Sequence, residues 1–313
     1  VKGWAYETWW MFYCVVGLLI CPPIICYATV PDFWSVTMSA PTHTLLQCVF
    51  FGLIWGVGGL TWGLMVRYLG IGLGLAIGCG LCAATGTLIP PIVQGHAADL
   101  VKDAGAIVVL AGVFGSLAGI GFVGYAGKLK EDELPAEEKK KAVKDFNFGK
   151  GIFVAVLSGI MSACFSIGLS FGENLHWEAT KPIFATLPAT LLVTLGGFMT
   201  NAVYCLVQNK KNGSFPDYRK SSLWVNNALF CALAGLLWYS QFFALSLGKG
   251  FMASSPVLIT FSWCILMALN VTFSNVWGII LKEWKGVSKK TVVVLLVGIA
   301  ILIFSTFLPE LIG

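Results

Sequence analysis

Long apolar runs alternate with short polar segments along almost the whole chain. A helix needs about 20 consecutive apolar residues to cross the hydrocarbon layer of a bilayer, and nine runs reach that length. The longest polar segment, residues 128–150, is rich in lysine and glutamate and separates four runs from five. The pattern therefore predicts an all-α membrane protein with spans at 8–29, 43–66, 69–93, 105–127, 151–172, 183–207, 225–247, 253–281 and 291–309.

The composition excludes soluble classes of protein. Of the 313 residues, 57% are hydrophobic and only 11% are charged, whereas a soluble domain has roughly 25% charged residues. The ten cysteines lie in apolar runs, where a thiol behaves as a small hydrophobic group. The Cys79-Gly-Leu-Cys82 spacing could indicate a redox or zinc site, but no histidine or acid stands beside it, which favours a packing role.

The positive charges orient the predicted spans. If the nine spans alternate in direction, seventeen of the twenty lysines and arginines fall on one side of the membrane. Lys102, Lys181 and Lys249 fall on the other side. Because cytoplasmic loops carry the excess of basic residues, we expect the N-terminus of this chain inside. Its C-terminus is then outside, in a multi-pass membrane protein.

The segments before and after the polar linker resemble each other. Residues 56–70 and 234–248 both begin with small and aromatic residues and end in Leu-Gly, and internal repeats are typical of secondary transporters. Five helices per repeat would put one further helix ahead of Val1. We therefore expect a ten-helix transporter fold of two inverted five-helix repeats with its first helix missing. Residues 1–127 form the N-terminal repeat, 128–150 the cytoplasmic linker and 151–313 the C-terminal repeat.

Several segments resemble the L-rhamnose–proton symporter family of the drug/metabolite transporter superfamily. They include Trp4-Ala-Tyr-Glu-Thr-Trp9, Leu237-Trp-Tyr-Ser-Gln-Phe-Phe243 and Leu281-Lys-Glu-Trp284. The resemblance implies import of L-rhamnose or a related deoxysugar together with a proton, by alternating access. It implies no cofactor besides the proton as coupling ion, a sugar and the lipid bilayer as partners, and no nucleic acid. A carrier of the same fold for another metabolite, and a non-transporting membrane subunit, stay open as alternatives.

A sugar site needs aromatic planes for the C–H faces of the ring and amides or hydroxyls for its edges, because buried hydroxyl groups must be paired. Gln241 is the strongest candidate, since it follows Trp238 inside a family-like segment. Any one tryptophan could instead be an interfacial anchor, and any mid-span amide could serve an interhelical hydrogen bond. The substrate-binding candidates are Trp55 and Trp62, Asn201, Asn227, Trp238 and Gln241, and Trp263, Asn270 and Ser274.

Proton coupling needs a group whose proton affinity responds to burial and to bound substrate. Glu7, among three tryptophans at the start of the first span, is the first candidate; the alternative is a solvated acid favoured by the helix dipole. Glu173 and His176 in an outer connection are the second candidates, and an ordinary loop is their alternative. We find no His-Glu-x-x-His, no Gly-x-Ser-x-Gly and no acid pair at membrane depth, so we expect neither a catalytic nor a metal site.

Overall fold

The computed structural model describes residues 1–133, 147–175, 180–219, 221–282 and 284–312. Every regular element in these ranges is helical, and nine helices are long and apolar enough to cross a membrane. The predicted all-α fold with nine spans is thus confirmed for the part of the chain that the structure describes. These helices are α1 (Tyr6–Thr29), α2 (Thr42–Leu69), α3 (Ile71–Val93), α4 (Ala104–Glu133), α5 (Phe148–Phe171), α6 (Leu187–Asn212), α7 (Ser221–Phe251), α8 (Pro256–Ile280) and α9 (Lys289–Ile312).

The first span changes its hydrogen-bond pattern half-way along. It is α-helical over Tyr6–Cys14, π-helical over Val15–Ile20 and α-helical again over Cys21–Thr29. Pro22 and Pro23 begin the second α-helical part, and a proline has no amide hydrogen with which to continue the ladder. The widened turn accommodates that interruption, and such π segments often occur at functional sites.

The helices are grouped into two compact units. Unit 1 comprises Val1–Val57 and Ile167–Ala253, and unit 2 comprises Gly58–Ser166 and Ser254–Gly313. Each unit takes helices from both sides of the polar linker, so the units are not the two predicted sequence repeats. Most of the linker lies outside the described residues, and the predicted repeat boundaries stay a prediction.

Unit 1 depends on glycines that let its helices approach closely. A Cβ atom on Gly235 of α7 would lie 2.8 Å from the carbonyl oxygen of Tyr13 and 3.0 Å from the amide nitrogen of Gly17 on α1. A Cβ atom on Gly52 of α2 would collide with the backbone of Val193 on α6. Small residues at such crossings allow backbones to pack directly. They hold α1, α2, α6 and α7 close together.

Unit 2 is organised around α4, which packs along α9 and against α3 and α8. Its core contains buried aliphatic side chains from α4 and α9 together with Phe261 of α8. At the end of α4, the Glu133 carboxylate accepts hydrogen bonds from the Ser288 amide at 2.6 Å and from the Thr291 hydroxyl at 2.6 Å. Glu133 therefore caps the start of α9, where amide hydrogens have no partner within the helix.

Candidate functional site

Five aromatic rings form a continuous row in unit 1, which we call the aromatic wall: Tyr6, Trp10, Tyr13, Trp238 and Trp55. Successive ring centroids lie 5.6, 4.8, 5.9 and 5.7 Å apart. The first three rings share one face of α1, because residues four and three apart are neighbours on a helix. The last two come from α7 and α2. Trp10, Tyr13, Trp55 and Trp238 are half-buried.

Asn201 of α6 supplies a polar group at the wall. Its side chain is 4% exposed, and its Oδ1 accepts a hydrogen bond from the Trp10 indole nitrogen at 2.7 Å. Its Nδ2 donates to the carbonyl oxygen of Gly197 at 2.8 Å. A Cβ atom on Gly197 would collide with the Trp55 ring. The absence of a side chain at Gly197 therefore leaves room for Trp55 in the aromatic wall. An amide has two N–H groups and two lone pairs, so Asn201 can bind a further hydroxyl.

The other α7 candidates lie at different distances from the wall. Gln241 is half-buried one helical turn after Trp238, and Phe242 packs edge-on against Trp238 with centroids 5.0 Å apart. Asn227 is fully buried, and its amide exchanges hydrogen bonds with the backbone nitrogen and oxygen of Lys2 at 3.1 and 2.8 Å. Asn227 lies about 16 Å along the axis from Trp238, which is too far for both to contact one sugar ring.

Four sequence candidates belong to unit 2. The Trp62 indole donates to the Ser162 hydroxyl at 2.7 Å. Trp263 is 4% exposed, and its indole donates to the Cys82 carbonyl at 3.1 Å. Asn270 and Ser274 are exposed on α8, and the Ser274 hydroxyl donates to Val271 of its own helix at 2.9 Å. None of these four belongs to the wall, and their proposed contact with substrate stays a prediction.

Glu7 is buried rather than solvated. Its side chain is 4% exposed, and its Oε1 accepts hydrogen bonds from Asn212 Nδ2 at 3.0 Å and from the Ser214 hydroxyl at 2.5 Å. The carboxyl group is therefore not solvated, and its role in proton coupling stays a prediction. Gly213 adopts a left-handed conformation with φ of 64°, which suits glycine. This turn carries the chain out of α6 and brings Ser214 to the carboxyl group.

The contacts of Glu7 extend into a larger polar cluster, the Glu7 network. Asn209 Oδ1 lies 2.9 Å from Ser214 Oγ and accepts a bond from the Thr8 hydroxyl at 3.3 Å. Asn209 Nδ2 donates to the Tyr218 hydroxyl at 3.0 Å. Burial raises the pKa of Tyr218, so that its hydroxyl keeps its proton. The network consists of Glu7, Thr8, Asn209, Asn212, Ser214 and Tyr218.

The residues that α6 and the turn after it contribute to this network were not among the predicted site residues. Asn209 and Asn212 lie three residues apart in the last turn of an apolar helix, and that spacing places two amides on one face. This signal could have pointed to a polar site. Of the second proton candidates, Glu173 is exposed in the turn after α5, and His176 lies outside the described residues.

The sequence pattern of the L-rhamnose-proton symport protein (RhaT) family matches residues 1–311. The chain belongs to this family. The resemblance found in its sequence segments is thereby confirmed.

Curated relatives from this family cover nearly the whole chain. Proteins named L-rhamnose-proton symporter from Yersinia pestis (strain Pestoides F) and Yersinia pseudotuberculosis serotype O:3 (strain YPIII) are each 36% identical to it over 314 residues. Each alignment covers 97% of this chain and 89% of the relative. These names describe transporters and not enzymes, in agreement with the expectation that this chain is not an enzyme. No solved structure matches the chain.

Proposed function

We propose that this protein imports L-rhamnose or a related deoxysugar together with a proton, by alternating access across the inner membrane. The family match over residues 1–311 carries the proposal. Unit 1 supports it, because it contains both an aromatic wall with amide groups and a buried carboxyl group. The distribution of basic residues supports a cytoplasmic N-terminus and a periplasmic C-terminus.

The sugar binds at the aromatic wall. A deoxysugar has a methyl group and C–H faces that are stabilised by contact with aromatic planes, and hydroxyl groups that require polar partners. The exposed surfaces of Trp10, Tyr13 and Trp238 provide the planes. Asn201 is fixed beside them by its bond to Trp10, and Gln241 stands one turn beyond Trp238. These two amides bind the hydroxyl groups.

The proton binds at Glu7. Transfer of an ionised carboxylate into an apolar environment is costly, whereas a neutral carboxyl group can be buried at much lower cost. A protonated Glu7 therefore favours conformations in which the Glu7 end of α1 is shielded from water. Glu7 and Trp10 stand on adjacent turns of the same helix, so movement of α1 couples the proton to the sugar. Glu173 and His176 stay the second candidates.

Four of the contacts between helices fit an architecture of two inverted five-helix repeats. In unit 1, α1 packs against α6, and Trp55 of α2 stacks on Trp238 of α7. In unit 2, α3 packs against α8 and α4 packs along α9. Each pair is five helices apart in the order of the chain. The similar segments 56–70 and 234–248 also lie on one such pair, α2 and α7. This recurrence supports the repeat architecture.

Uptake of labelled L-rhamnose into proteoliposomes tests the proposal. With an acidic exterior, we expect accumulation above the external concentration, and a protonophore abolishes it. Liposomes without protein and an unrelated hexose serve as controls. Accumulation that ignores the proton gradient contradicts symport, and absence of any L-rhamnose uptake by folded protein contradicts the substrate assignment.

A further inference from the structure

The hydroxyl group of Ser214 stands between two acceptors that it cannot serve at the same time. Its oxygen lies 2.5 Å from Glu7 Oε1 and 2.9 Å from Asn209 Oδ1. A serine hydroxyl has one hydrogen to donate and two lone pairs with which to accept. The direction of that single hydrogen therefore depends on what the neighbouring carboxyl group carries.

We infer that Ser214 is a positioning residue whose hydroxyl changes its hydrogen-bond acceptor with the protonation state of Glu7. It donates to Glu7 in one state and to Asn209 in the other, and so couples Asn209 to the proton on Glu7. The inference rests on the proposed function of Glu7 as the proton carrier. When Glu7 is ionised, Ser214 donates to the carboxylate, because hydrogen bonds to a charged acceptor are roughly twice as strong as neutral ones. When a proton binds Oε1, Glu7 donates to Ser214 Oγ, and the serine hydrogen turns to Asn209 Oδ1.

The proton neutralises the Glu7 carboxylate, and no proton is passed on to another residue. The incoming proton stays on Oε1 and the serine keeps its own hydrogen. The Glu7–Ser214 hydrogen bond reverses its direction, and a hydrogen bond from Ser214 to Asn209 Oδ1 forms. Asn209 also accepts from Thr8 of α1 and donates to Tyr218 beyond the end of α6. A hydrogen bond gained at Asn209 thus strengthens contacts that join α1 to α6 and to the turn after it. Protonation favours this closed arrangement of the polar cluster.

Other titratable groups lie near Glu7 and influence its carboxyl group through their charge. The Asp217 carboxyl is 7% exposed and accepts a hydrogen bond from the Ala5 amide at 2.7 Å. Its negative charge repels that of Glu7. Within the described part of the chain, the titratable side chains that interact electrostatically with Glu7 include Asp217 and Tyr218 on the turn after α6, and Tyr204 and Cys205 on α6 itself.

Infrared titration of the purified protein in lipid tests this inference independently of transport. The band of the protonated Glu7 carboxyl group is assigned by its loss in Glu7→Gln, and its midpoint is measured against pH. Ser214→Ala removes the donor to the carboxylate, so we expect the midpoint to move upward by about one pH unit. Ser214→Thr retains the hydroxyl and restores the midpoint. Thr29→Val, which removes a hydroxyl that bonds to the Ile25 carbonyl at the other end of α1, is the control and leaves the midpoint unchanged.

A double-mutant comparison tests the transmission to Asn209. Asn209→Leu removes the second acceptor, so we expect the midpoint to fall in the otherwise wild-type protein and to stay unchanged in the Ser214→Ala background. An unmoved midpoint in Ser214→Ala, or equal shifts from Asn209→Leu in both backgrounds, overturns the inference. If Asn209→Leu does not fold, the comparison of Ser214→Ala with Ser214→Thr decides. A Glu7→Gln protein that still accumulates L-rhamnose with the proton gradient rejects the proton carrier, whatever the titration shows.

Discussion

Replacing Trp10 with phenylalanine removes one hydrogen-bond donor from the aromatic wall and keeps a ring between Tyr6 and Tyr13. In the native protein the indole donates to Asn201 at 2.7 Å, and Asn201 is 4% exposed. The substitution leaves the amide oxygen buried without this donor, which costs about 1–3 kcal/mol. Hydrogen bonds between membrane helices average about 0.6 kcal/mol and reach about 1.7 kcal/mol. The short distance and the deep burial favour about 1–2 kcal/mol here.

A loss of this size changes an equilibrium by a factor of about 5–30. Because Asn201 is proposed to bind a sugar hydroxyl, we expect L-rhamnose to bind Trp10→Phe more weakly by a factor in that range. The assay is equilibrium binding of labelled L-rhamnose to protein in detergent. Trp9→Phe is the matched control, since Trp9 is a neighbouring half-buried ring that contacts Tyr6 and Trp10. Equal affinities of Trp10→Phe and Trp9→Phe would refute the role of the Trp10–Asn201 pair.

Two further substitutions test the site and the scaffold. Gln241→Ala removes a proposed partner of a sugar hydroxyl, so we expect weaker binding of L-rhamnose. Ser240→Ala is the control and binds L-rhamnose normally, because the exposed Ser240 hydroxyl bonds within α7. Unchanged affinity in Gln241→Ala would exclude Gln241 from the sugar site. Gly235→Ala places a methyl group 2.8 Å from the Tyr13 carbonyl oxygen, and we expect a lower thermal midpoint from overpacking of about 1–3 kcal/mol. Gly121→Ala, with open space around its Cβ position, serves as the control in the same melting assay, and equal midpoints contradict the close α1–α7 contact.

Apolar length was sufficient to predict the spans, because each crossing must satisfy its backbone hydrogen bonds within one helix. Helical periodicity was less informative about neighbours. Trp55 and Trp62 share a stripe of α2, but they lie about 10 Å apart along its axis. The boundary between the two units falls between them. Trp55 accordingly stacks on Trp238, while Trp62 bonds to Ser162.

The Glu7 network illustrates what periodicity cannot supply. Its composition of small polar residues is ordinary, and Glu7 is separated from Asn212 and Ser214 by 205 and 207 positions. Only the fold brings these residues together. The aromatic context around Glu7 was enough to select it as a candidate, but its burial and its partners depend on the turn at Gly213. Pairing between distant helices is decided by tertiary packing, for which a single sequence carries no direct signal.

The most direct test of proton coupling at Glu7 compares two kinds of sugar movement in one Glu7→Gln preparation. Glutamine resembles protonated glutamate in shape but binds no proton. The account predicts that Glu7→Gln loses accumulation of L-rhamnose driven by a proton gradient and retains exchange of labelled for unlabelled L-rhamnose. Glu173→Gln, in contrast, keeps both activities. Gradient-driven accumulation by Glu7→Gln at the wild-type level would contradict the account.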